Sequence, residues 1–122
     1  GSAPDAQTDQ LYLALAAELD KRKIAYVHLV DHSSMGAPKP KPELFADIRK
    51  TFHGPLILAG GFTDAAGAEK VLEDKKADLV AFGRTFLANP TLPAKLAAGA
   101  ELTAPDMSTF YTPGPKGYTD YP

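Results

Sequence analysis

The sequence predicts an α/β protein built on parallel strands, and two observations carry that prediction. Three short apolar runs, at residues 24–30 (IAYVHLV), 55–59 (PLILA) and 77–82 (ADLVAF), are rich in aliphatic, β-branched and aromatic side chains. Near-continuous apolar runs of that length mark strands covered on both faces. The stretches around them space apolar residues by three and four, the period of an amphipathic helix. Strands that alternate with covering helices pair in parallel through right-handed crossovers.

Taken in order, residues 3–9 are small, polar and acidic, a lead-in with a helix cap expected at Thr8 or Asp9. Gly1-Ser2 reads as a cloning remnant, so residues 1–8 are set apart as a tag remnant and flexible lead-in. Residues 10–22 are helical in pattern, with Tyr12, Leu15, Ala16 and Leu19 on one face. After the first strand, residues 31–41 form a loop crowded with Ser33, Ser34, Gly36, Pro38 and Pro40. Pro42 suits the first turn of a helix striped by Leu44, Phe45, Ile48 and Phe52 and ended by His53-Gly54. Pro55 is tolerable only at the start of the second strand.

Gly60-Gly61 is a sharp turn, and Thr63 is the expected cap of a helix that packs Ala66, Ala68, Val71 and Leu72 inward. The third strand ends at Gly83-Arg84. Asn89-Pro90 reads as a cap and first-turn proline for a brief helix anchored by Leu92 and Leu96 and stopped by Gly99. Residues 100–122 lack periodicity but carry Phe110, Tyr111, Tyr118 and Tyr121, and read as an ordered wrap against a larger body.

Composition removes several classes of function. The 122 residues contain no cysteine, which excludes disulfides, thiolate-ligated zinc, iron–sulfur ligation and a cysteine nucleophile. Thirteen basic against fifteen acidic residues give a net charge of −2, so no global field attracts nucleic acid or an acidic membrane. Neither a membrane span nor a signal peptide is visible, and the expected setting is cytoplasmic.

The clearest chemical signal is a pair of strand ends, Gly60-Gly61 and Gly83-Arg84. Glycine there lets the backbone approach a ligand, and nearby N–H groups can face phosphate oxygens. Arg84 adds a fork of charged donors suited to phosphate. In the eight-stranded α/β barrel, loops after the last two strands commonly build this kind of site. As turns alone, the two pairs would be routine.

Other polar residues say less. His28 falls inside a strand pattern, as a core or barrel-lumen histidine. Asp31-His32 sits at a strand's C-terminal end, where His32 either lines a loop or serves as an acid–base group. His28, His32 and His53 have no carboxylate cluster to complete a metal geometry, so no metal is expected. Lys39 and Lys41 read as a solvated loop, and Ser33-Ser34 has no visible base for nucleophilic catalysis.

Residues 77–90 (ADLVAFGRTFLANP) and 117–122 (GYTDYP) closely resemble the old yellow enzyme family of FMN-dependent ene-reductases. Residues 24–30 and 56–63 (LILAGGFT) are similar to the sixth and seventh barrel strands of that family. The resemblance implies the C-terminal part of a (β/α)8 TIM barrel, with parallel strands six to eight and covering helices. Residues 9–99 would be partial barrel and 100–122 the wrap. It implies FMN as cofactor and NADPH as hydride donor, with Gly60, Gly61, Gly83 and Arg84 at the FMN phosphate. Phe110 and Tyr111, in STFYTPG, match a segment beside the dimethylbenzene edge of the flavin. Lys23 and Lys75 stand where the family usually has glycine, which puts two tight turns in question.

None of the family's substrate-clamping or proton-donating residues has a match in this chain, so no catalytic residue is assigned. The resemblance then implies a chain active only when a complementary N-terminal barrel portion completes it, the substrate being a small activated alkene such as an α,β-unsaturated carbonyl compound. The alternative is non-enzymatic, an autonomous or self-assembling α/β phosphate-binding scaffold.

Overall fold

A computed structural model describes residues 7–122. Most of the lead-in expected over residues 1–8 lies outside the described residues. Among the described residues, five α-helices and three strands follow one another. They are α1 (Thr8–Lys21), β1 (Val27–Val30), α2 (Pro42–Thr51), β2 (Leu56–Ala59), α3 (Ala65–Glu73), β3 (Leu79–Ala81), α4 (Arg84–Leu87) and α5 (Leu92–Ala98). The strands form one parallel sheet in the order β1-β2-β3. This is an α/β fold with the sheet and helix order of part of a TIM barrel.

Each strand is shorter than its apolar run. Val27 pairs with Leu56 at the start of the β1–β2 register, and the Val27 amide donates to the Pro55 carbonyl. Pro55 has no N–H to return, so the ladder stops there and Ile24 and Tyr26 lie outside it, exposed. At β3 the ladder begins at Leu79, while the Asp78 amide bonds the Leu56 carbonyl from outside the strand.

The core lies on one face of the sheet. Ala16 of α1, Leu44 and Ile48 of α2, Phe52 and Leu56 are buried together, with Leu13, Leu19, Val27, Leu29 and Phe45 packed around them. Strand alternation puts His28 and Val30 on the opposite face, and both are exposed. Register aligns Ile57 and Leu79 with His28, and Ala59 and Ala81 with Val30. Val30 is 45% and Leu79 54% exposed. Both faces were expected to be covered; among the described residues only the helix side is. On α1, Leu11, Tyr12 and Leu15 are exposed too, so of the expected stripe Ala16 and Leu19 pack inward, joined by Leu13.

Polar groups lock the N-terminal ends of the strands. The Arg49 guanidinium on α2 donates to both carboxylate oxygens of Asp78, at 2.5 and 2.9 Å, and the Leu56 amide donates to the same carboxylate at 2.8 Å. Arg49 first and the Leu56 amide second hold the Asp78 carboxyl down at about 2. The His53 amide donates to Asp20 at 2.9 Å, tying the end of α2 to α1 and lowering the Asp20 carboxyl from its ordinary value.

Three expected caps are corrected. Thr8 and Asp9 lie inside α1, which begins two residues earlier than its apolar pattern, and Asp9 turns its carboxylate to Lys41. Asp64, not Thr63, caps α3: its carboxylate accepts from the Gly67 amide at 2.8 Å. Asn89 does not cap α5, whose preceding residue is Thr91. It is fully buried, donating to the carbonyls of Thr85 and Thr103 and accepting from the Thr103 amide and Lys95 Nζ. Four bonds satisfy an amide side chain in both its donor and acceptor roles. Asn89 thus fastens the chain after α5 to the start of that helix.

Residues 100–122 hold one short 3-10 turn, Met107–Thr109. Local bonds shape the rest: the Asp106 carboxylate accepts from the Ser108 amide, the Tyr121 hydroxyl accepts from the Asp106 amide, and the Asp120 carboxylate accepts from the Gly117 amide.

Candidate cofactor phosphate site

The C-terminal ends of the three strands open into one cavity of about 540 Å³. It draws on Val30 at the end of β1, Asp31 and Ser34 after it, Gly60 and Gly61 after β2, and Gly83 and Arg84 after β3. Phe110 and Tyr111 reach it from the C-terminal segment. All six residues singled out from the sequence therefore meet at one place. Strand C-terminal ends are where ligand sites of parallel α/β folds lie, because the loops there converge.

The glycines differ in what demands them. A Cβ on Gly60, where φ is +118°, would overlap the Asp31 carbonyl, so glycine is required there for β1 and β2 loops to dock. The Asp31 amide donates to the Ala59 carbonyl at 2.8 Å in the same contact. Gly83 has no heavy atom within 4 Å of where its Cβ would stand, and Gly61 has none either. Their amides donate to no acceptor among the described residues. Two amides without an acceptor, at turns lining an open cavity, are donors that phosphate oxygens fit. Phe62 and Phe82, with ring centroids 6.2 Å apart, pack the two glycine turns side by side.

Among the described residues, the cavity is lined by one guanidinium, Arg84, and one carboxylate, Asp31. Arg84 makes no ion pair among the described residues; its guanidinium donates to Ser34 Oγ at 2.9 Å. Asp31 accepts from the Ser33 amide at 2.7 Å, and the Ser33 hydroxyl first and this amide second hold its carboxyl below the ordinary value. His32 lines the rim without a hydrogen bond of its side chain to Asp31. Phe110 is half-buried and Tyr111 94% exposed, their rings edge to face at 6.4 Å. No group of histidines and carboxylates among the described residues is arranged to hold a metal ion.

Ser34 has no signal of its own in the sequence. A serine in a Gly/Pro-rich loop is ordinary, and its distance of 50 positions from Arg84 conceals the contact. The clue available was topological: loops after the first and third strands of a parallel sheet overhang the turn after the second.

The model of the NADH:flavin oxidoreductase / NADH oxidase family matches residues 5–103. The chain belongs to this family of FMN-dependent oxidoreductases. Among individual proteins, it is 40% identical over 119 residues to a 12-oxophytodienoate reductase-like protein of Solanum lycopersicum, covering 97% of this chain and 32% of that protein. It is also 40% identical over 121 residues to 12-oxophytodienoate reductase 2 of Arabidopsis thaliana, again covering 97% and 32%. Morphinone reductase superposes with a TM-score of 0.89 at 43% identity, over 98% of this chain and 32% of that one. The old yellow enzyme homologue of Zymomonas mobilis gives a TM-score of 0.87 at 35% identity, over 97% and 34%. The chain therefore spans about a third of the length of the relatives it matches.

Proposed function

We propose that this chain is the C-terminal, phosphate-side portion of an FMN-dependent ene-reductase barrel, contributing strands six to eight as β1 to β3. The observation that carries the reading is the cavity uniting Gly60, Gly61, Gly83 and Arg84 at the strand C-termini, with unpaired amides and a guanidinium that lacks a carboxylate partner. In this reading the amides of Gly61 and Gly83 donate to the FMN phosphate, and Arg84 neutralises its charge. Gly60 keeps the β1 and β2 loops close enough for these donors to share one cavity. Phe110 and Tyr111 flank the dimethylbenzene edge of the flavin.

When bound, FMN would supply hydride-transfer chemistry between NADPH and an activated alkene such as an α,β-unsaturated carbonyl compound. The acid and the substrate clamp belong to the remaining barrel strands, as does most of the flavin ring wall. Residues 9–99 serve as the barrel portion and 100–122 as an ordered wrap against the larger body. Among the described residues no helix is long and apolar enough to cross a membrane.

The test is complementation. This chain and a polypeptide carrying the first five barrel strands are prepared separately and mixed with FMN. Mixing is expected to restore the yellow flavin absorbance and NADPH-dependent alkene reduction, with neither piece active alone. FMN binding and turnover by this chain as an isolated monomer would overturn the reading.

A further inference from the structure

We propose that Ser34 is a positioning residue for anion capture, holding the Arg84 guanidinium across the Gly60-Gly61 turn. The assignment rests on the phosphate-site reading above and names a residue that reading does not contain. Sheet order puts β2 between β1 and β3, so the bond from Arg84 Nη2 to Ser34 Oγ, 2.9 Å long, bridges the loops on either side of the glycine turn. All four residues line the same cavity.

Ser34 is itself held. It sits in the middle of a 3-10 turn, Ser33–Met35, that closes with Met35 N–H to His32 carbonyl at 2.8 Å and Gly36 N–H to Ser33 carbonyl at 3.1 Å. Asp31 braces that turn by accepting from the Ser33 amide, and Asp31 in turn abuts Gly60. A rigid path thus runs from the β2 turn through Asp31 to Ser34 and ends on a side chain that is otherwise long and flexible. Fixing a flexible cation before its ligand arrives removes an ordering cost from binding.

The direction of the bond matters as well. Arg84 donates and Ser34 Oγ accepts, which leaves the serine hydroxyl hydrogen with no acceptor among the described residues. That hydrogen is available to a phosphate oxygen held by the same guanidinium. A neutral acceptor also leaves the charge of Arg84 uncancelled, whereas an aspartate in place of Ser34 would neutralise it.

The test uses the completed barrel that contains this chain. FMN and riboflavin, which differ by the phosphate alone, are titrated against the parent protein, Ser34→Ala and Ser34→Thr, with quenching of flavin fluorescence as the readout. Loss of one hydrogen bond's worth of orientation predicts FMN binding about fivefold weaker in Ser34→Ala. Riboflavin affinity stays at the parent value, and Ser34→Thr, which keeps the hydroxyl, restores FMN affinity. Unchanged FMN affinity in Ser34→Ala overturns the assignment alone. So does equal weakening of FMN and riboflavin, the signature of a loop that merely loses structure. A parent barrel that does not bind FMN removes the flavin reading, and this assignment with it.

Discussion

Gly60 and Gly83 look alike in the sequence, each a glycine at the end of an apolar run, yet the structure separates their roles. Gly60 combines φ of +118° with an Asp31 carbonyl where a Cβ would stand, while Gly83 has a negative φ and empty space. Gly60→Ala is therefore expected to cost more than about 1 kcal/mol of stability in urea denaturation of the completed barrel, through strain and displacement of the β1 loop. Gly83→Ala is expected to leave the urea midpoint where it is and to weaken FMN binding at least about tenfold, because its methyl group occupies part of the cavity. Equal midpoints for both variants would contradict the distinction. Single-residue roles were the least legible level of the sequence. Asp64 and Thr63 are both good caps by type, and only backbone conformation at Asp64 selects it. Asn89 looked like a cap because it precedes a proline, but what fixes it is a bond to Thr103, 14 positions away.

Elements were legible in kind and order because their periods are local, while their ends depend on partners. α1 and α3 show how an end is decided. Each closes with the amide pattern of a Schellman turn: Lys23 N–H to Asp20 carbonyl with Ile24 N–H to Leu19 carbonyl, and Lys75 N–H to Leu72 carbonyl with Lys76 N–H to Val71 carbonyl. The residue after each cap is left-handed, with φ of 54° at Lys23 and 55° at Lys75. Gly99 takes the same position after α5 at φ 61°, with the same pair of bonds from Gly99 to Leu96 and Ala100 to Lys95. The lysines flagged from the sequence thus occupy positions where a side chain costs energy. Lys23→Gly and Lys75→Gly should each stabilise the protein by about 0.5–1 kcal/mol, the left-handed penalty less the entropy of glycine. The two turns share no partner, so the gains should add in the double variant. Denaturation midpoints that stay put or fall would show that the lysine side chains contribute compensating interactions.

At the scale of the whole molecule, the apolar runs of the sequence and the burial of the described chain disagree, and the disagreement is informative. Residues 24–30 read as a strand covered on both faces, whereas His28 and Val30 face outward and Leu79 stands 54% exposed on the same side of the sheet. The parallel sheet was legible from local pattern, but the exposure of one face was not, since cover depends on what packs against a strand and not on the strand's own residues. Among the described residues β1 pairs only with β2 and β3 only with β2, so each presents a row of backbone groups at an edge. Open edges beside an exposed apolar face drive association. The isolated chain is therefore expected to elute as an oligomer above its 12.9 kDa mass in size-exclusion chromatography with light scattering. Substituting the inner face, Val30→Ser with Leu79→Ser, should shift that population toward monomer while lowering the yield of flavin-loaded barrel on mixing with the N-terminal portion proposed above. The same apolar surface would be responsible for both effects, which is why they must move together. A parent chain that runs as a stable monomer would instead favour the autonomous scaffold, and a double variant that assembles as well as the parent would show that the sheet edges, not this face, direct assembly.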